Sequence, residues 1–298
     1  MKKIIAAAVA TAFVAPAFAA DVTLSGSQEF SLVSNQTTTA TTDTAATDTA
    51  FTIKASTETA NGLSISTDIN MDADGTHDGG NSINISGPMG SIVLGDDSGA
   101  LDSIDGKTDP FLVVDHDAKG TTTSQQNFSD AAVTWTLPAL AEGLTVKAAY
   151  SPSGGDAGVN STAEGTSADQ SGVVISYAMG PVFVGYASQD VGTDKDQGGV
   201  ITYTFEGLTL AYESFQNKTA AGAKSNYKAL GAQYSMGDMT FAWASTEEDT
   251  DDSAISEGTA YGVHYDLGGG VNVFAESSKE DVESGLEEET AIGIRVAF

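Results

Sequence analysis

The sequence predicts an all-β fold, a sixteen-stranded antiparallel transmembrane β-barrel, and three observations support this prediction. Apolar and polar residues alternate along many short segments, tight Gly- and Asn-bearing turns alternate with long polar links, and Phe298 directly follows one alternating segment. A closed antiparallel barrel is one of the two structures that satisfy every backbone polar group inside lipid. Long links at one end and short turns at the other are typical of such barrels.

The N-terminal segment has the features of a secretory signal. Lys2 and Lys3 precede an apolar run over residues 4–14, and Ala17-Phe18-Ala19 provides the small residues that a signal peptidase needs. We place cleavage after Ala19, so residues 1–19 are the signal peptide and residues 20–298 form the barrel. Elsewhere the sequence does not reach the ~18 consecutive apolar residues of a spanning helix.

The charge of the chain excludes one class of partner. Without the signal peptide, 10 basic residues remain against 41 acidic ones, which gives a formal charge of −31. A field of this sign repels nucleic acid and other polyanions and favours cations. The chain has no cysteine, so disulfides cannot stabilise the fold. We therefore predict no nucleic-acid binding.

Period-two alternation predicts sixteen strands, an even number as in bacterial outer-membrane barrels. The predicted strands cover residues 22–33, 51–59, 63–71, 81–86, 91–96, 131–137, 144–151, 172–179, 182–189, 199–205, 208–215, 227–236, 239–245, 258–267, 271–278 and 290–298.

The links between these strands fall into two sets. Seven are short, most of them carrying Gly or Asn, and supply the positive φ angles of tight turns, as at Asn61-Gly62 and Glu206-Gly207. We assign them to the periplasmic end. Eight are mostly longer and polar, and we assign them to the outer end: residues 34–50, 72–80, 97–130, 152–171, 190–198, 216–226, 246–257 and 279–289. Links of this length are unusual in a compact soluble domain.

The alternation also predicts which side chains face the lumen. In residues 63–71 the apolar side chains fall on odd positions, so Asp68 faces water. The same phase places further polar residues on the lumen wall: Lys54, Lys147, Glu213, His264 and Arg295. Aromatic residues near strand ends or on the outward phase are expected to form the interfacial girdles: Tyr150, Tyr186, Tyr212, Tyr234, Trp243 and Phe298.

Three segments carry a resemblance to a known family. Residues 21–26 (Asp-Val-Thr-Leu-Ser-Gly), residues 90–96 before the longest link and the closing residues 293–298 resemble those of the general (non-specific diffusion) porins of Gram-negative bacteria, especially the α-proteobacterial branch. The resemblance covers the whole mature chain. It implies a homotrimer and a final Phe298 that is read by the barrel-assembly machinery.

The resemblance further implies that the third outer loop, residues 97–130, folds into the barrel and narrows it. The charged residues of this candidate constriction loop and its approach are Asp96, Asp97, Asp102, Asp105, Lys107, Asp109, Asp115, Asp117 and Lys119. Members of the family face this loop with a cluster of basic residues. Here that cluster is thin, since Arg295 is the only arginine in the chain. The lumen is therefore predicted to be negative and to prefer cations.

Other chemistry has less support in the sequence. The three histidines, His77, His116 and His264, have no identifiable partners for a catalytic triad, so we predict no enzyme and no required cofactor. Asp72, Asp74 and Asp78 surround Gly75 in a carboxylate-rich segment that is similar to a calcium loop, although a solvated turn has the same composition.

The sequence thus predicts an outer-membrane porin of a Gram-negative bacterium that lets ions and small hydrophilic solutes diffuse passively. Its expected surroundings are outer-membrane lipid and lipopolysaccharide. Two alternatives stay open at this point: a substrate-selective outer-membrane channel, and a soluble acidic secreted β-protein such as an adhesin.

Overall fold

The computed structural model describes residues 21–37, 39–72, 82–95, 99–114, 132–152, 169–250, 256–282 and 285–298. Sixteen strands pair in sequence order into one closed barrel, and every neighbouring pair is antiparallel. The predicted fold class is confirmed. The expected signal peptide, residues 1–19, lies outside the described residues and stays a prediction.

The strands are β1 (Asp21–Thr37), β2 (Thr41–Glu58), β3 (Ser64–Asp72), β4 (Ser82–Gly87), β5 (Gly90–Gly95), β6 (Ala132–Thr136), β7 (Leu144–Ser151), β8 (Gln170–Met179), β9 (Val182–Val191), β10 (Asp194–Phe205), β11 (Leu208–Lys218), β12 (Lys224–Met236), β13 (Met239–Thr250), β14 (Ser256–Gly268), β15 (Val271–Val282) and β16 (Gly285–Ala297). One short helix, α1 (Gly99–Asp102), follows β5. In the described part of the chain, no helix has the length and apolar character needed to cross a membrane.

The barrel closes between its first and last strands. β1 pairs with β16 from Ser27 opposite Ala297 to Thr37 opposite Glu287. Beyond the last paired residues, Gly26 and Phe298 exchange two backbone hydrogen bonds of 2.9 Å each. A side chain at Gly26 would meet the Phe298 ring at 3.0 Å, so the glycine leaves room for this ring. Closure leaves neither β1 nor β16 with an unpaired edge.

The outer surface carries the apolar band that lipid requires. Side chains on the outward phase of the strands are large, apolar and exposed, for example Val184, Ile201 and Leu230, which are 44%, 47% and 50% exposed. All six aromatic residues predicted for the girdles are exposed as well. Because neighbours in sequence point to opposite faces, the polar residues between them face the lumen.

The outer ends of the strands are longer than the alternation predicts. β1 reaches Thr37 and β2 begins at Thr41, so most of the predicted loop 34–50 is strand. The predicted loops 190–198 and 216–226 likewise shorten to tight hairpins. Above the apolar band both faces of a strand are wet, so polar residues alternate with polar residues and leave no period-two signal.

Apolar packing also occurs inside the barrel, between the wall and the segment after β5. One cluster joins Ala100, Leu101, Ile104, Val174, Ala187, Val200, Phe215, Tyr227 and Ala229. A second joins Val33, Val114, Ala260, Phe274 and Ala291, with Phe111, Leu112 and Val113 packed against it. Residues between 100 and 114 belong to both clusters, so this segment lies against the inner face of the wall and shapes the lumen.

Candidate functional site: the inner loop and the pore wall

Residues 99–114, which we call the inner loop, lie inside the barrel. Its helix α1 contacts β7, β8, β9 and β10, and the Ala100 amide donates a 2.9 Å hydrogen bond to Oε1 of Gln189 on β9. Later residues of the loop reach β11, β15 and the upper part of β1. The loop therefore follows the lumen face of the wall from strand to strand.

The first attachment of the inner loop is apolar. Leu101 and Ile104 are 2% and 1% exposed, and they pack against Val174 and neighbouring wall residues. Ile104 lies over Gly185 of β9, where an added Cβ would approach Ile104 Cγ2 to 3.0 Å. Full burial of one such side chain stabilises the docked loop by roughly 1.5–3 kcal/mol.

The second attachment is the carboxylate of Glu213 on β11, which is completely buried. It accepts a 2.5 Å hydrogen bond from the Lys107 amide and a 3.0 Å hydrogen bond from the Thr108 hydroxyl. On the adjacent strand, a Cβ at Gly231 would come within 2.7 Å of Thr108 Cα. The absence of a side chain at Gly231 thus lets the loop backbone lie directly on β12.

The third attachment is the carboxylate of Glu276 on β15. Its oxygens accept hydrogen bonds from the amides of Leu112, Val113 and Val114 at 2.7, 2.9 and 3.2 Å. Nε2 of His264 on β14 lies 2.7 Å from the same carboxylate. A buried carboxylate is costly without partners, and hydrogen bonds to a charged acceptor are stronger than neutral ones. Four donors around one side chain therefore fix the far part of the loop.

A second apolar contact surrounds this carboxylate. Val114 is 1% exposed and packs with Val33, Phe274 and two wall alanines. The Phe111 ring lies beside Gly262, where a Cβ would approach its Cδ1 to 3.2 Å. Apolar and hydrogen-bonded attachments thus alternate along the inner loop, which favours a single docked position.

The lumen face of β2 to β5 is lined mainly by small hydroxyl and amide side chains. By strand register these include Thr52, Ser56, Ser64, Ser66, Asn70, Ser82, Asn84, Ser86 and Ser91. Thr52 donates a 2.8 Å hydrogen bond to Asn70, and Asn84 donates one of 3.3 Å to Ser82. Such groups exchange hydrogen bonds with water without presenting a charge. This side of the lumen suits a water-filled passage.

The charged groups at mid-height of the wall lie beside groups of opposite sign. Lys54 Nζ is 3.4 Å from Asp68 Oδ1, and Arg295 is directly opposite Glu29 in the β1–β16 register. Arg295 also contacts the Ser27 hydroxyl at 3.4 Å. Positive charge therefore offsets part of the negative charge at this height, where Asp48, opposite Glu29 in the β1–β2 register, adds a further acid.

A family model described as Gram-negative porin matches residues 6–284, most of the chain. The chain belongs to the Gram-negative porin family. It is accordingly an outer-membrane protein, and the family consists of channels rather than enzymes. The predicted family and location are confirmed, whereas the α-proteobacterial branch stays a prediction.

Solved structures share the fold of this porin at low sequence identity. A refined porin structure is 17% identical with a TM-score of 0.73, and the match covers 93% of this chain and 100% of that one. The anion-selective porin from Comamonas acidovorans is 16% identical with a TM-score of 0.70, covering 94% and 100%. A loop L8 deletion mutant of OmpT from Vibrio cholerae is 12% identical with a TM-score of 0.74, covering 94% and 100%. No curated protein sequence matches the chain.

Some of the predicted constriction residues lie on the inner loop of this porin. Asp105 is buried, Lys107 is exposed, and Asp109 accepts a 3.2 Å hydrogen bond from the Phe111 amide. Asp102 is the last residue of α1. The remaining predicted loop charges, Asp96, Asp97, Asp115, Asp117 and Lys119, lie outside the described residues.

The predicted lumen-wall residues face the inside of the porin, but they divide into two groups. Lys54, Asp68 and Arg295 lie on the lumen face of β2, β3 and β16, and the register of β7 places Lys147 on the lumen face as well. Glu213 and His264 instead point to the inner loop and hold it, directly or through another residue. Alternation along a strand predicts which face of the sheet a side chain is on. It does not predict which other segment of the chain covers that face.

The calcium prediction remains untested for this porin. Asp72 is the last residue of β3, whereas Asp74 and Asp78 lie outside the described residues. Within the described ranges, no group of three or more His, Cys, Asp or Glu side chains could hold a metal ion.

Sequence reasoning missed Glu276, which accepts hydrogen bonds from three amides of the inner loop, together with the glycines under the loop. A signal for the contact was present, because Leu112-Val113-Val114 is an apolar run inside an otherwise acidic loop. Such a run needs an apolar surface to cover it, and an inward carboxylate such as Glu276 can satisfy its backbone amides.

Proposed function

We propose that this porin is a cation-preferring channel for the passive diffusion of ions and small hydrophilic solutes. The observation that supports the cation preference most directly is a group of acidic side chains at the outer mouth. By register, acidic residues near the outer ends of β10, β13, β15 and β16 point into the mouth: Asp194, Asp196, Glu248, Glu280, Glu287 and Glu289. Lysines at similar heights point away from it: Lys195, Lys218, Lys224, Lys228 and Lys279.

The mouth, more than the middle of the pore, would then determine ion preference. At mid-height Lys54 is beside Asp68 and Arg295 faces Glu29, so basic groups offset part of the acidic charge there. Charges around a wide wet mouth act over the Debye length, about 30 Å at 0.01 M salt and about 3 Å at 1 M. The preference for cations should therefore be strong in dilute salt and weak in concentrated salt.

Zero-current potentials across planar bilayers test this proposal. A tenfold KCl gradient measured around 0.03 M should give a clearly cation-selective potential, and the same gradient around 1 M should give one closer to zero. An anion-selective potential in dilute salt would contradict the proposal. The anion-selective relative from Comamonas acidovorans shows that such an outcome is compatible with a closely similar fold.

The inner loop would set the size limit of the passage, because it occupies one side of the lumen while the wall of β2 to β5 remains lined by small polar groups. Rates of uptake of neutral sugars of increasing size into proteoliposomes would measure this limit. Among the alternatives, family membership does not favour a soluble secreted β-protein.

We also propose that the porin assembles as a homotrimer. Gln28 of β1 is exposed on the outward face, between Gly26 and Phe30, and it is directly opposite Thr49 of β2. Polar side chains within an apolar band are costly in lipid and favour a protein neighbour. Gel migration of unheated samples tests this: Gln28→Lys should weaken the oligomer, whereas Gln197→Lys, outward but above the apolar band, should leave it intact.

A further inference from the structure

The Glu276 attachment of the inner loop contains a histidine. His264 of β14 is the only histidine within the described residues, and its Nε2 lies 2.7 Å from Oε1 of Glu276. The Glu213 attachment, which holds the Lys107 amide, has no histidine among its described partners. Histidine is the side chain whose charge ordinarily changes between pH 5 and pH 8. Solution pH can therefore act on the far attachment of the loop through a group that the Glu213 attachment lacks.

His264 reaches the inner loop through Glu276. The side chain of Glu276 is completely buried, and that of His264 is 13% exposed. The described hydrogen-bond partners of this carboxylate are His264 and three neutral backbone amides of the loop, those of residues 112–114. Among these four partners only His264 can carry a positive charge. Its protonation therefore decides whether the buried carboxylate is paired with an opposite charge.

The charge of His264 affects docking because docking buries Glu276. When the histidine is protonated, the buried pair is neutral as a whole and its hydrogen bond is charge-assisted. When the histidine is neutral, the carboxylate stays buried as an uncompensated charge, which is strongly unfavourable. In a released loop, water can solvate the carboxylate in either case. The protonated form of His264 therefore favours the docked loop more than the neutral form does.

Other charged groups surround this pair on the neighbouring elements. On β13, the residue opposite His264 is the uncharged Thr240. The charged side chains on the lumen face of the nearby strands and on the facing part of the loop are Asp266 of β14, Glu280 of β15, Glu289 and Arg295 of β16, Glu29 of β1, Asp48 of β2 and Asp109 of the loop. A change of pH acts on all of these groups together, so a test of His264 needs variants of this residue.

We propose that His264 is a positioning residue for the inner loop: it acts through Glu276, and its protonation controls how firmly residues 109–114 are docked. The near part of the loop stays attached through Leu101, Ile104 and Glu213 in both states of the histidine. The far part is held at pH 5.5 and fluctuates at pH 8. This motion is a property of the folded protein and is independent of the ion preference proposed above.

Hydrogen exchange of the loop amides tests the proposal directly. Exchange in the folded porin in detergent would be followed by mass spectrometry at pH 5.5 and pH 8, with protection factors corrected for the intrinsic effect of pH on exchange. Protection at residues 112–114 should fall about tenfold between the two pH values, the order expected when one partner of a hydrogen bond loses its charge. The Ala100 amide, held by the neutral Gln189, is the internal control and should keep its protection.

Two replacements of His264 separate its charge from its hydrogen bond. His264→Gln keeps a neutral donor, so residues 112–114 should show the low protection of the alkaline parent at both pH values. His264→Lys keeps a positive charge and should show the high protection at both. The double variant His77→Gln, His116→Gln replaces the other two histidines of the chain and should retain the pH dependence of the parent.

Single-channel recordings give an independent measurement of the same motion. In the parent, transitions between conductance levels should become severalfold more frequent when the pH is raised from 5.5 to 8. His264→Gln should show frequent transitions at both pH values. Since the near part of the loop stays attached, the mean conductance should change less than the frequency of transitions.

Three results would each overturn the proposal. The first is equal protection of residues 112–114 at the two pH values in the parent. The second is a pH dependence that persists in His264→Gln, because this would assign the titration to one of the surrounding groups. The third is protection in His264→Lys as low as in His264→Gln, because charge would then have no role. A parent porin that shows the expected exchange but does not conduct ions would refute the proposed channel and not the role of His264.

Discussion

Nε2 of His264 lies 2.7 Å from Oε1 of Glu276, the same oxygen that accepts the 2.7 Å hydrogen bond of the Leu112 amide. The His264 ring is itself held edge-on to Phe274, with ring centroids 6.3 Å apart. His264, a residue of the wall, thereby covers the side of the Glu276 carboxylate that the inner loop does not contact. A single buried side chain on β15 thus joins the wall to three consecutive residues of the inner loop.

Replacement of Glu276 should release the far half of the inner loop. In Glu276→Gln the charge is lost and one carboxylate oxygen becomes an amide donor that faces the loop amides. Each hydrogen bond to a charged group is worth about 1.5–3 kcal/mol, so the docked position should lose much of its advantage. Single-channel recordings should show a noisier current with several conductance levels. Glu257→Gln on the exposed face of β14 is the control, and equally quiet currents in both variants would show that Glu276 does not hold the loop.

A side chain at Gly231 should push the inner loop away from the wall. The Cβ of Gly231→Val would have to occupy space within 2.7 Å of Thr108 Cα, which is backbone and cannot rotate aside. Displacement into the lumen should lower the single-channel conductance while the barrel still migrates as a folded protein on unheated gels. The control is Ala232→Val, the next residue, which faces outward. A conductance equal to that of the control would mean that the loop is not seated on β12.

Neutralising the basic residues of the lumen wall should strengthen cation preference. The combined changes Lys54→Gln, Lys147→Gln and Arg295→Gln leave Asp68 and Glu29 without a nearby positive charge, so the mid-height field becomes more negative. The zero-current potential should become more cation-selective, and less sensitive to salt than that of the parent. The direction in which residue 295 points is tested separately. Arg295→Cys should react with a small hydrophilic thiol reagent, and labelling by a lipid-soluble reagent alone would show that this residue faces the membrane.

Cation preference should decline when the pH falls through about 6. Burial raises the pKa of Asp196 to about 6, against a smaller lowering by its hydrogen bond from Asn217. The group lies above the apolar band, because its outward neighbours are Lys195 and Gln197. The raised pKa means that the folded protein holds this proton more tightly than the unfolded chain does. The ionised Asp196 carboxylate therefore lowers the free energy of unfolding above pH 6, and this cost is absent below about pH 4.

Zero-current potentials at pH 7.5 and pH 5 measure this effect. Asp196→Asn should show a smaller change between the two pH values than the parent. Glu289→Gln removes one charge from the same mouth and should keep the larger change. If the zero-current potential of Asp196→Asn changes between the two pH values as much as that of the parent, another group at the mouth is responsible.

Much of the barrel could be predicted because lipid imposes a simple rule on one face of each strand. The phase that makes Ile69 and Trp135 outward also fixes Asp68 and Thr134 as inward, and the structure agrees. This rule applies only to the part of each strand that is surrounded by lipid. The outer part of β2, residues 41–50, has water on both sides and carries Thr, Asp and Ala without a period, so the sequence alone suggested a loop.

The attachment of the inner loop could not be predicted from periodicity. Glu213 and Glu276 have the same phase as residues that line the open passage, and only the path of the loop separates the two roles. Contacts of this kind join residues more than a hundred positions apart. They depend on which side of the lumen the loop follows, and a strand pattern carries no information on that choice.

Pairing of β1 with β16 imposes an order of events on biogenesis. One edge of β1 pairs with β2, but its other edge finds its partner only in β16, so the first strand cannot complete its hydrogen bonds until almost the whole sequence has been synthesised. Until then it exposes an edge that could pair with other chains. A polypeptide of such high contact order folds late and slowly, and it must cross the periplasm in a form that is protected from aggregation.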